Sequence, residues 1–184
     1  SVHVPIFTSD SYRRGVEFDT GRAWVTWTDN RATFTRELFV SRVTDSVYLR
    51  IRSSKPGTVA CRVALKKAAN EQTDVGTFSG STPDDFEFPA ASQALAESAS
   101  VTFHGRYPNG FSFGAAGQVA APGGSIISTD EALVIEGADE VVLRVRLFLD
   151  EEPDAALARI CADDDTDRSA AFDAAFAEHV ALHG

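Results

Sequence analysis

The 184-residue chain reads as a mainly β protein, a two-sheet antiparallel β-sandwich with C-terminal linker helices. Three observations predict this. Period-two alternation of apolar and polar residues dominates up to about residue 150, the spacing of strands that bury one face. Clusters of Pro, Gly, Asp and Asn punctuate the alternating runs, as turns require. After Asp150 the pattern becomes Ala- and Leu-rich, with Pro153 well placed as a first helical residue. Residues 1–150 are therefore assigned to the sandwich and residues 151–184 to a helical linker.

In chain order, Ala23, Val25 and Trp27 share a face, and Asp29-Asn30 turns into a strand over Ala32–Arg42. That strand carries Phe34, Leu38 and Val40 on one side and is interrupted by Arg36. An arginine there implies either a bulge that re-aims the side chain or a polar site within an apolar face. Over Asp45–Ser53, Val47, Leu49 and Ile51 point one way, with Tyr48, Arg50 and Arg52 opposite. Over Thr58–Lys66 the inward set is Val59, Cys61, Val63 and Leu65. The intervening Pro56-Gly57 turn predicts an antiparallel hairpin with one dry and one wet face. Gly76–Glu97 clusters small and polar residues and reads as a long surface excursion with a short helix at Ser92–Glu97. Strands follow at Ser100–His104, Phe111–Val119 and Glu140–Leu149. Ala121–Gly124 reads as another hairpin turn. In the last strand Val141, Leu143, Val145, Leu147 and Leu149 form the dry face. Helices are expected over Asp154–Cys161 and Asp167–Leu182, the second stacking Phe172, Phe176 and Val180 in a narrow stripe that needs a partner.

Composition narrows the function. An apolar fraction of 43% is that of a globular domain, and this length buries about 70% of the unfolded surface. A net charge of −10 argues against nucleic acid as a partner, since phosphate binding needs clustered Lys and Arg. No run of about 18 apolar residues is present to span a membrane. The N-terminus carries no basic-then-apolar leader, which leaves the compartment, extracellular or cytoplasmic, open. Two cysteines make no disulfide framework, and Cys61 on a dry strand face reads as a buried free thiol, with a bridge to Cys161 left open.

The candidate chemistry is sparse. His179 and His183 have the i, i+4 spacing of zinc ligands, but Val180 stands where the zincin motif needs Glu, so packing or capping is the better account. The acidic run Asp163–Asp167 lacks the Gly and Glu of a calcium loop and reads as a helix start capped by Thr166 or Asp167. Asp84, Asp85 and Glu87 fall in the excursion, where nothing sets the spacing that sugar hydrolysis needs. Trp24 and Trp27 project to opposite faces and cannot form one sugar platform. Tyr48, beside Arg50 and Arg52 on the wet face, and Tyr107 are the candidates for exposed carbohydrate contacts. Arg36 and Glu37 are the candidate internal polar network. Neither a metal nor an organic cofactor is implied.

The order of Tyr12-Arg13-Arg14, Phe18-Asp19, the strand Arg36-Glu37-Leu38-Phe39-Val40-Ser41, the turn Lys55-Pro56-Gly57 and Gly137-Ala138-Asp139 before a long aliphatic strand resembles the N-terminal β-domain of glycoside hydrolase family 95. The resemblance covers about residues 10–183. It implies a two-sheet sandwich whose catalytic acid and base lie in a separate (α/α)₆ barrel, hydrolysing terminal α-L-fucosides with inversion. None of those catalytic residues maps onto this chain. Two departures stand out: the family's early Gly-Asn-Gly type segment is absent, as in an N-terminally truncated fragment, and Arg146–Leu149 replaces small residues and a Thr. The expectation is a noncatalytic domain packing against that barrel, which leads to the parent enzyme's oligosaccharide substrate. The alternative is a stand-alone carbohydrate- or protein-binding sandwich.

Overall fold

A computed structural model describes residues 2–3, 11–66, 90–95, 99–107, 109–162 and 168–183. The strands are β1 (Val2–His3), β2 (Ser11–Glu17), β3 (Arg22–Thr28), β4 (Thr33–Ser41), β5 (Ser46–Ser53), β6 (Val59–Val63), β7 (Ala90–Leu95), β8 (Ser100–Arg106), β9 (Ser112–Ala120), β10 (Ser125–Thr129), β11 (Ala132–Ala138) and β12 (Glu140–Leu149). Two helices follow, α1 (Pro153–Ala162) and α2 (Arg168–His183). An eight-stranded sheet has the order β2-β3-β4-β5-β12-β9-β8-β7, and a four-stranded sheet the order β1-β6-β11-β10, with antiparallel pairing throughout. The predicted mainly β sandwich with C-terminal helices is the observed fold. The expected excursion up to residue 89, its acids Asp84, Asp85 and Glu87, the acidic run 163–167 with both N-cap candidates, and the side chains of Cys161 and His183 lie outside the described residues.

The main core fills the space between the sheets. Trp27, Phe34, Ile51, Val119, Val141 and Leu143 of the large sheet meet Val59, Cys61, Val63, Leu133 and Ile135 of the small one. Trp27 and Phe34, direct partners across β3 and β4, stack with ring centroids 5.3 Å apart. Cys61 is a buried free thiol, and burial pushes its pKa up to about 12, so the thiol stays protonated. The opposite face of the large sheet is covered by the helices. Phe39 and Tyr48 stack beneath Phe172, with Ala175 and Val142 completing that cluster, while Ile160 and Ala156 of α1 sit on Phe148 and Ala116. The narrow stripe of α2 thus has its partner in the sheet.

Four readings change with this topology. β5 and β6 are not a hairpin: they belong to different sheets, and the Pro56-Gly57 turn carries the chain across the sandwich. Ala121–Gly124 likewise links β9 in one sheet to β10 in the other, because a tight turn reverses the chain without dictating its next partner. Residues Ser92–Leu95, expected in a helix, form edge strand β7, paired to β8, whose neighbours outweigh local propensity. Leu147 and Leu149 alternate correctly with Val145 but are 70% and 80% exposed, since the small sheet does not reach them.

Three crossings between the sheets converge at Asp139. Its carboxylate accepts the Gly57 N–H at 2.7 Å, and its own N–H donates to the Pro122 carbonyl at 2.9 Å. Gly123, at φ 75°, leaves room for that carboxylate; a Cβ there would sit 2.9 Å from it. At the start of β4, buried Asp29 closes the β3–β4 turn by accepting the Arg31 and Ala32 N–H groups at 2.8 and 3.3 Å. The Arg31 side chain, bonded at 2.6 Å, holds the Asp29 carboxyl below the ordinary carboxylate range.

Gly114 lies between Phe148 and His104 in register, and an added Cβ would fall 2.3 Å from both the Phe103 carbonyl and the Phe148 ring. Gly114→Ala should cost about 3 kcal/mol by urea denaturation, through overpacking. Phe172→Ala should cost about 3–5 kcal/mol by emptying the α2 seat. For Asp29 the folded pKa is depressed, so its contribution is complete above the unfolded value of about 4 and is lost as pH falls through the folded value. A pH series of melting temperatures should therefore show Asp29→Ala losing less stability than the parent on acidification below about pH 4.

Candidate functional site

Adjacent residues of a strand point to opposite faces, so Arg36 and Glu37 are separated by the sheet itself. The pairings of β3 with β4 and β4 with β5 run without a shift, which excludes a bulge at Arg36. The expected Arg36–Glu37 network thus resolves into two sites, one on each side of β4.

Glu37 points under α2. Its Oε1 accepts from Arg22 at 2.7 Å, and its Oε2 accepts from Arg50 at 3.1 and 3.3 Å and from Arg52 at 3.0 Å. Arg50, the direct cross-strand partner of Glu37, also reaches Asp173 of α2 at 2.7 Å and lies 4.0 Å over the Phe172 ring. Arg22 extends the network to Glu17 at 2.7 and 2.9 Å, and that contact lowers the Glu17 pKa and raises that of Arg22. The Glu37 and Arg50 side chains are both nearly inaccessible, at 5% and 6% exposure. One buried carboxylate matched by three guanidiniums suits a joint that fixes α2 on the sheet. Glycoside cleavage by a carboxyl pair would need both groups facing an open cleft.

Arg36 points to the other side, into an open cavity of about 610 Å³. Its lining is Arg14, Gly15, Val16, Ala23, Trp24, Val25, Arg36, Leu38 and Leu49. Arg14, Val25 and Arg36 form one row across β2, β3 and β4. Neither Arg14 nor Arg36 makes an ion pair with a described residue. Val16 of the lining is itself exposed, and beyond the cavity the same face exposes Val40, Leu147 and Leu149. In the sequence Arg14 stood out only within the family motif Tyr12-Arg13-Arg14; the β2–β3 and β3–β4 registers are what set it beside Arg36.

The two tyrosines differ. Tyr48 is buried, at 5% exposure, in a stack with Phe39 under Phe172, and its hydroxyl accepts from Thr44 at 3.3 Å. The expectation of an exposed Tyr48 is therefore corrected: its strand face is dry because α2, more than a hundred residues later in the chain, covers it. Tyr107 is exposed at the end of β8 and packs on Phe113 at 4.6 Å, four strands away from β4. Trp24 and Trp27 do face opposite ways, as their spacing requires, with Trp27 in the core and Trp24 over Gly15. His179 is buried against Phe39, ring centroids 5.2 Å apart, in the α2 seat.

Removing the charge of Glu37 leaves three guanidiniums facing one another. Glu37→Gln should cost about 3 kcal/mol in chemical denaturation. Adding Arg50→Met should recover part of that loss, because an apolar replacement on Phe172 carries no buried charge.

Comparison with known proteins supplies the family. A family model described as glycosyl hydrolase family 65, N-terminal domain, matches residues 5–148. No curated protein sequence matches the chain. Among solved structures the fold is similar to that of a protein assigned as a kojibiose phosphorylase from the human microbiome, with a TM-score of 0.57 at 10% identity. The match covers 96% of this chain and 25% of that one, so the chain spans about a quarter of its structural relative. The motif order that resembled family 95 located the right kind of domain in a different family. One of its landmarks, Gly137-Ala138-Asp139, builds the crossover corner, and so reports architecture more than sugar specificity. With most of its length inside the matched region, the chain belongs to the glycosyl hydrolase family 65 N-terminal domains.

Proposed function

We propose that this chain is the noncatalytic N-terminal domain of a carbohydrate-active enzyme, packing against and supporting a separate catalytic domain. The observation that carries the reading is apolar surface on one face of the large sheet, where Val40, Leu147 and Leu149 stand in water past the buried core and Val16 stands in water on edge strand β2. Exposed apolar surface of this kind marks protein contacts. Membership of an N-terminal domain family and coverage of only a quarter of a structural relative support the same reading. In it, α1 and α2 are the linker towards a helical catalytic barrel. The sugar chemistry belongs to the whole enzyme. An α-L-fucoside hydrolysed with inversion is what the sequence motifs implied, while the structural relative is assigned as a kojibiose phosphorylase.

A stand-alone carbohydrate- or protein-binding module is the second reading, favoured by the open 610 Å³ cavity. Two measurements separate them. The isolated chain should turn over neither an aryl α-L-fucoside nor kojibiose with phosphate, and it should raise the melting temperature of the catalytic segment encoded with it when the two are mixed. Turnover by the chain alone would refute the supporting role, and saturable sugar binding without any effect on a catalytic segment would favour the second reading.

A further inference from the structure

Arg36 poses a specific problem. Its side chain is half-buried in an apolar cavity, with no counter-ion among the described residues. Carboxylates outnumber cationic side chains in this chain, 27 to 17. Arg22, Arg31, Arg50, Arg52 and Arg159 all hold acids. A guanidinium partly withdrawn from water is stabilised by a carboxylate brought against it in the same apolar setting. Arg14 stands in the same cross-sheet row, separated from Arg36 by Val25 alone. Two strand spacings put their backbones about 10 Å apart. The surface beside them is aliphatic, with Val16 and Leu38 in the cavity and Val40 next along β4, and on the same face of the sheet Leu147 and Leu149 are exposed further along β12, about 20 Å or more past the arginine row.

We infer that Arg14 and Arg36 are the charged anchors of the docking face, and that the occupant is an aliphatic surface of the catalytic domain bearing one or two carboxylates that pair with them. The inference rests on the supporting-domain reading and adds to it the place, the sign of the charge and the two residues that select the partner. Aliphatic contact supplies the area, and the paired arginines set the position, since a misplaced partner would leave its carboxylates desolvated without a cation.

Arginine footprinting with phenylglyoxal, read by peptide mass spectrometry, tests this on the 184-residue chain and on the full-length protein. In the chain alone both Arg14 and Arg36 should be labelled. In the full-length protein their labelling should fall at least tenfold, while Arg62, exposed on the small sheet, reacts equally in both. Hydrogen exchange of the segment holding Leu147 and Leu149 should slow in parallel, and the pair Arg14→Glu and Arg36→Glu in the full-length protein should undo that slowing. Protection of the leucine segment with both arginines still reactive overturns the inference and leaves the supporting role standing. Equal exchange and labelling in the two proteins overturns both. Concentration-dependent dimerisation of the isolated chain that protects both arginines would make a second copy the occupant, and overturns the inference. Should the double variant unfold by circular dichroism, Arg14→Gln, at an exposed position, should still speed the exchange about threefold, and an unchanged rate counts against the pairing.

Discussion

The sandwich is organised by a corner. Three separate crossings between the sheets, after β5, after β9 and after β11, meet within hydrogen-bond distance of Asp139. Each crossing needs a tight reversal, and Gly57, Gly123 and Gly137 all adopt positive φ there. Tying the crossings together superposes the small sheet on the adjacent part of the large one, around Ile51, Val119 and Val141. The same placement leaves the distant part of that face bare, so the packed core and the exposed strip share a cause.

The two faces of β4 show how one strand serves different ends. Towards the helices, Glu37 gathers arginines from β3 and β5 and, through Arg50, an aspartate from α2. Buried ion pairs seldom add much stability beyond apolar packing, but they position partners, because a shifted α2 would separate Arg50 from Asp173 and from the Phe172 ring. Towards the cavity, Arg36 meets no acid among the described residues. The contrast separates a contact completed by described residues from one that none of them completes.

Strand identity was legible in the sequence and strand partnership was not. Alternation placed Val47, Leu49 and Ile51 on one side of β5 and Val59, Cys61 and Val63 on the inner side of β6, and both assignments hold. It could not say that these strands lie in different sheets, because a Pro-Gly turn serves a hairpin and a crossing equally well. Tyr48 and Arg50 were assigned to water for a related reason: local pattern shows that a face differs from the dry one, and only a distant helix reveals what covers it. At Leu147 and Leu149 the error ran the other way, since an apolar side chain need not be buried within its own chain. Glu37 was recognised as part of a network, but its partners required the register of three strands.

These errors bear on the exposed strip itself. A domain that must stay soluble with Leu147 at 70% and Leu149 at 80% exposure needs protection against self-pairing, and a net charge of −10 supplies some of it through long-range repulsion. Repulsion of that sign acts on a second copy of the chain, and on any acidic partner, before contact is made. Arg14 and Arg36 oppose it locally, so an acidic group is favoured at their row against the net repulsion of the domain. An apolar face on an acidic domain thereby becomes selective: area alone would accept many neighbours, and two cations in one row favour the neighbour whose carboxylates arrive there.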